Sequence, residues 1–204
     1  MIDTDSRPVD LWEHLGKAGL YPGRAIITRC LAENTNLIGE PSAVLFRRQD
    51  AARGFSPRYR QCVDLEMWFH LLEGGDLVYS PEPLCCFRVH GRQQTAVNRG
   101  LQVGEREGVA LLREFCSKPW LDSRKCRRRI FQELYYYRRQ SPAIRAQLES
   151  PEDLMSRLGR GWYIAHWVRR NIIKAFVTLQ HNWQKHIRDR KPVSLRRRHA
   201  PPPG

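Results

Sequence analysis

The sequence predicts a mixed α/β domain followed by a helical C-terminal extension. Three observations lead there. Over the first half of the chain, segments of helical and strand-like pattern alternate in the order helix, strand, helix, strand, strand. After Gly91 the apolar residues recur only at helical spacing. The positive charge gathers at one end: residues 160–199 hold eleven Lys or Arg against one acid, Asp189, and so carry most of the formal net charge of +14. The preceding residues keep an ordinary balance, which disfavours a uniformly basic nucleic-acid-binding fold.

The elements follow in order. Residues 1–22 read as the end of a loop or strand, then a short helix over 11–15, and cannot supply further strands. Pro22-Gly23 breaks the chain, and a helix follows over 24–32 with Ile26, Ile27, Cys30 and Leu31 on one side. Residues 34–42 carry Asn, Gly and Pro and form a loop. Residues 43–47, AVLFR, have the composition of a short buried strand. Residues 49–59 are polar, with Gly54 and Pro57, and form a second loop. Over 62–72, Leu65, Trp68, Phe69 and Leu72 recur at helical spacing, and Gly74-Gly75 ends that helix. Strands over 76–80 and 84–90 are separated by Pro81-Glu82-Pro83, and the adjacent Cys85 and Cys86 alternate across the second. Helices are predicted over 102–115, 123–137 and 151–158. Gly159-Arg160-Gly161 punctuates, a long amphipathic helix covers 162–187, and RRRHAPPPG is a solvated tail. Three strands leave an open sheet with unprotected edges, so the chain is expected to lack part of a larger sheet.

Hydrophobic residues at 41% and charged residues at 27% describe a globular chain. No run of 18 apolar residues is present to span a bilayer, and MIDTDSRPVD lacks the apolar core of a secretory signal. None of the six cysteines forms a CxxC pair, so a structural zinc site has no support. Reduced thiols in a cytoplasmic protein are the simplest expectation.

Residues 36–95 hold the chemically informative stretch. Asp64 opens an amphipathic helix. Gly39-Glu40-Pro41-Ser42 leads into the strand-like AVLFR. Arg88 and His90 share one face of a strand, because strand side chains have period two. A carboxylate, a guanidinium and an imidazole near strand ends suit a phosphorylated substrate. Each also has a plainer role: Asp at a helix start is commonly a cap, and His at a strand end a structural hydrogen-bonder.

As an ordered series, these residues resemble the second half of the catalytic domain of family 2 glycosyltransferases, which have the GT-A fold. The series runs Gly39-Glu40-Pro41-Ser42, Arg47-Arg48, Gly54-Phe55-Ser56 and Asp64-Leu65-Glu66-Met67-Trp68. It continues with Gly75 to Tyr79, Pro81 to Leu84, and Arg88-Val89-His90. The resemblance implies a partial GT-A-like mixed sheet with helices and an inverting transferase that moves a sugar from a nucleotide-diphosphate donor to a glycan, lipid-linked or other hydroxyl acceptor. It implies that Asp64 is the base that accepts the acceptor's hydroxyl proton, a role a sugar hydroxyl needs because it is otherwise a poor nucleophile. Gly39 and Ser42 match the loop near donor sugar and acceptor. His90 matches a position that in some members approaches the metal or the diphosphate, with Arg88 adding charge there. Trp68 and Phe69 pack the helix on the sheet. Val63 stands where the family usually has Glu before the base.

Family members begin with a nucleotide-binding half that carries an Asp-x-Asp metal motif. The resemblance therefore implies a divalent cation, Mg or Mn, for the complete enzyme, with its main ligands outside this chain. Asp3-Thr4-Asp5 has the letters but only Met1-Ile2 before it, and reads better as a surface turn. The expected organisation is the C-terminal half of a catalytic domain over 1–120, a helical extension over 121–159, and a basic amphipathic helix with a tail over 160–204. A truncated or split transferase is expected; the alternative is a non-catalytic remnant serving as a membrane-surface or interaction module.

In the basic segment, Ala165, Val168, Ile172, Phe176, Leu179, Trp183 and Ile187 fall at near-helical spacing, with Arg169, Arg170, Lys174 and Lys185 interleaved. Such a helix either packs on the domain with a solvated basic face or lies on an anionic membrane surface at the cytoplasmic side, through 160–199. Nucleic acid is the least supported partner, since no recognised module accompanies the charge.

Overall fold

The computed structural model describes residues 1–91, 93, 98, 103–146, 148 and 150–189, with the backbone alone at 123, 144 and 181–189. The chain forms two compact units, Met1–Gly159 and Arg160–Gly204.

The first unit is a mixed α/β structure. Strand β1 (Gly19–Tyr21) leads through Pro22 into helix α1 (Gly23–Glu33), whose first turn is capped from outside: Asp76 Oδ1 accepts the Gly23 N–H at 3.0 Å. Helix α1 ends at Asn34, which takes the left-handed conformation and donates its N–H back to the Cys30 carbonyl. Helix α2 (Val63–Gly74) and strand β2 (Leu77–Tyr79) follow. Strand β2 pairs antiparallel with β1 in the register Gly19↔Tyr79, Leu20↔Val78, Tyr21↔Leu77. Helices α3 (Val103–Cys116), α4 (Ser123–Arg139), α5 (Pro142–Arg145) and α6 (Met155–Leu158) follow in the same unit. Asp122 caps α4 by accepting the Arg124 N–H.

The core lies among the helices. Helix α1 packs on α2 and α4, and α4 packs on α6. Ile26 and Ile27 of α1, Met67 and Phe69 of α2, and Ile130 and Phe131 of α4 are fully enclosed. Phe69 meets Phe115 of α3 edge to face, with ring centroids 5.1 Å apart.

The structure departs from the sequence reading at four places, all in its strands and short elements. Residues 11–15 are not helical: the run is too short to nucleate a turn, Gly16 follows with φ +74°, and the Trp12 ring packs edge-on against Phe87. Residues 19–21, placed in a segment expected to add no strand, form β1. AVLFR is not a strand. Among the described residues no strand pairs with it, and the chain instead makes 3-10 turns at Pro41–Ala43 and Arg48–Ala51 while Phe46 lies against Trp68, 5.6 Å between rings. Leu45 is fully exposed. The strand expected over 84–90 reduces to one bridge, where Ile2 exchanges hydrogen bonds with Phe87 and Val89; Cys85 and Cys86 lie outside it and are exposed. All six cysteines are free thiols.

The second unit is helix α7 (Arg160–Asp189). The expected tail after it, and the side chains of Trp183, Lys185 and Ile187, lie outside the described residues.

Candidate functional site

Asp64 sits in the first turn of α2 and is half-buried. Its Oδ1 accepts the Leu65 N–H at 2.7 Å, so one oxygen is oriented by the helix itself. Burial nevertheless pushes the carboxyl above the usual aspartate range. Glu40 is also held high, first by burial and then by the charge of Asp64. The Asp64 charge thus reaches Glu40, and burial makes each carboxyl hold a proton more tightly than a solvated acid would.

The Gly39–Ser42 loop is folded by Asn36 and tied to α2 by Trp68. Asn36 Oδ1 accepts the N–H groups of Ile38 and Gly39 at 3.0 and 3.1 Å, folding the loop on itself. Trp68 Nε1, one helical turn past Asp64, donates to the Gly39 carbonyl at 3.0 Å. Gly39 has φ +126°, a conformation that glycine adopts without strain. Ser42 is exposed in the 3-10 turn that follows. Trp68 thus does more than pack α2: its ring is buried against Phe46 and Phe55, and its N–H ties the loop to the helix. Arg53 adds a second tie, a two-pronged ion pair with the buried Glu66, both N–O distances 3.1 Å.

The start of α2 is anchored by a residue that the sequence reading did not single out. Glu107, on α3, accepts the N–H groups of Arg60, Gln61 and Cys62 at 2.7, 2.8 and 2.8 Å. These groups belong to the two residues before the helix and to its N-cap residue, so one carboxylate from a distant segment fixes the chain where α2 begins. Glu107→Ala is expected to lower stability by about 3 kcal/mol, since three donors lose a charged acceptor. Glu107→Gln should fall between, because only one of its terminal atoms accepts. Urea denaturation of the two variants checks the order.

Arg88 is engaged elsewhere. Its guanidinium donates to the carbonyls of Asp3 and Thr4 at 2.7 and 3.1 Å and to Ser6 Oγ at 2.9 Å, closing the N-terminal turn. Asp3 Oδ1 accepts the N–H groups of Asp5 and Arg7, so Asp3-Thr4-Asp5 is the surface turn its position suggested. His90 is exposed, and its N–H donates to Gln93 Oε1. Among the described residues no group of three or more His, Cys, Asp or Glu side chains is placed to hold a metal ion.

A polar cavity of about 440 Å³ opens behind the start of α2, lined by Gln61, Asn98, Glu105, Arg129, Glu133 and Tyr136 among others. Asn98 Nδ2 donates to Gln61 Oε1 at 2.7 Å. Arg129 and Glu133 form an almost enclosed ion pair one helical turn apart; burial pushes the guanidinium down and the carboxyl up. None of Gly39, Ser42, Asp64, Arg88 and His90 lines this cavity. Its amides, carboxylates and phenol suit the hydroxyl groups of a neutral ligand.

The chain matches no protein-family model, no curated protein and no solved structure.

Proposed function

We propose that the first unit is the acceptor-side part of an inverting, nucleotide-sugar-dependent glycosyltransferase, with Asp64 as the base. The observation that carries this reading is the half-buried Asp64 in the first turn of α2, raised by burial, with the Gly39 loop tied to the same helix by Trp68. A desolvated carboxylate is a stronger proton acceptor than one in water, which is what an incoming hydroxyl needs. Glu40 offers a second acid within reach of the Asp64 charge, where Val63 leaves the usual one missing. In this reading the donor's nucleotide and the divalent cation are held mainly by a nucleotide-binding half outside these residues. Arg88 contributes to the fold of the N-terminal turn rather than to the diphosphate. Cytoplasmic action agrees with six free thiols.

The test is a transfer assay on the natural gene product, with any segment encoded in frame before Met1, across nucleotide-diphosphate sugars with Mn²⁺ or Mg²⁺. Release of nucleoside diphosphate matched by glycosylated acceptor of inverted anomeric configuration is expected. Absence of transfer with every donor would favour the second reading, a non-catalytic module, to which Arg88's structural engagement also points.

A further inference from the structure

We propose that α7 binds an anionic lipid surface, lying in the headgroup plane with its apolar stripe inward. This stands on the second unit alone and does not depend on sugar transfer by the first.

The stripe consists of Ile164, Val168, Ile172, Phe176 and Leu179, spaced by four, four, four and three residues, so all project from one side of the helix. Their exposures are 60%, 43%, 63%, 62% and 67%. A single exposed Leu is ordinary, but five large apolar side chains in one continuous stripe are not. Trp167, 48% exposed, stands at the edge of the stripe, where an indole suits the boundary between acyl chains and water.

Charge selects the occupant. Arg160, Arg169, Arg170 and Lys174 lie along α7, and no acidic residue stands between Arg160 and Arg188. Along α7 the cations thus outnumber the single acid, Asp189. After Lys174, seven further Lys or Arg follow in sequence by Arg198. A second copy of this helix would cover the stripe but bring like charges together. A nucleic acid would neutralise the cations but leave Ile172 and Phe176 in water. An anionic bilayer surface satisfies both at once. The orientation is in the plane, since no helix among the described residues is long and apolar enough to cross a membrane.

The experiment is co-sedimentation of the full chain with phosphatidylcholine vesicles, with and without about one-third phosphatidylglycerol. Binding is expected only to the anionic vesicles, and should fall by about tenfold or more between about 0.05 and 0.5 M KCl. Arg169→Gln with Arg170→Gln and Lys174→Gln should weaken partitioning on the order of 100-fold. Ile172→Ser with Phe176→Ser should weaken it by a similar factor while circular dichroism retains the helix. Three outcomes would overturn the proposal. One is no partitioning of the parent chain into anionic vesicles at low salt. Another is binding unchanged by the paired apolar substitutions, the mark of a simple polycation. The third is a lipid-free dimer, seen by sedimentation velocity, that those substitutions dissociate.

Discussion

Asp64→Asn is expected to reduce sugar transfer by about 10³-fold, the usual scale for removing a general base, and to leave the fold at least as stable as the parent at neutral pH. The two halves of this expectation have separate physical sources. The amide cannot accept the acceptor's proton, so the loss falls on turnover. Stability follows the opposite course because burial raises the Asp64 pKa in the folded protein. For a group raised on folding, the folded state binds its proton more tightly than the unfolded chain does. Its contribution to stability is then most favourable below the unfolded aspartate pKa and is lost as pH rises through the folded value. At neutral pH the parent carries a partly desolvated charge that the asparagine variant lacks, while the asparagine Oδ1 can still accept the Leu65 N–H. The variant should also let the Glu40 carboxyl fall toward its ordinary range, because the Asp64 charge is one of the two causes that raise it. Transfer kinetics, urea denaturation at two pH values and a carboxyl NMR titration of Glu40 check these three results. Parent-like turnover in the variant would remove Asp64 from the base role.

What could be read in advance depended on how local each signal is. Helices α1 and α2 were legible because Ile26, Ile27, Cys30 and Leu31, and then Trp68, Phe69 and Leu72, recur at the helical period within one short window. Strand β1 was not. Gly19–Tyr21 is too short to show alternation, and its partner, Leu77–Tyr79, lies on the far side of two helices in sequence. AVLFR failed for the converse reason: its composition suits a strand, but pairing needs a neighbour, and Phe46 found Trp68 instead. The site divides in the same way. The position of Asp64 at a helix start follows from sequence. The Gly39 loop beside it is held by the Trp68 hydrogen bond to the Gly39 carbonyl, and the start of α2 is anchored by Glu107 reaching across from α3. Neither contact leaves a mark in the spacing of residues around Asp64.

Gly23→Ala is expected to cost about 4 kcal/mol and to lower the melting temperature by about 12 °C. A Cβ at this position would stand 2.1 Å from the Gly75 carbonyl oxygen and 2.3 Å from that of Leu72. Both are backbone atoms at the end of α2, so no side-chain rotation relieves the overlap. The first turn of α1 is also pinned there, because the Gly23 N–H donates to Asp76 Oδ1 in the link between α2 and β2. Moving α1 away would break that bond and draw Ile26 and Ile27 out of a core in which both are enclosed. Gly74→Ala is the control: a Cβ there meets nothing within 4 Å, so the helix end should tolerate it with little change or a slight gain. The clash lies at the opposite end of α2 from Asp64. Activity per folded molecule in Gly23→Ala should therefore change less than stability does, provided that α2 yields at its C-terminal end. A melting temperature within about 2 °C of the parent would mean that α1 and α2 separate easily. A loss of activity steeper than the loss of folded protein would mean instead that α2 moves as a rigid rod and carries Asp64 with it.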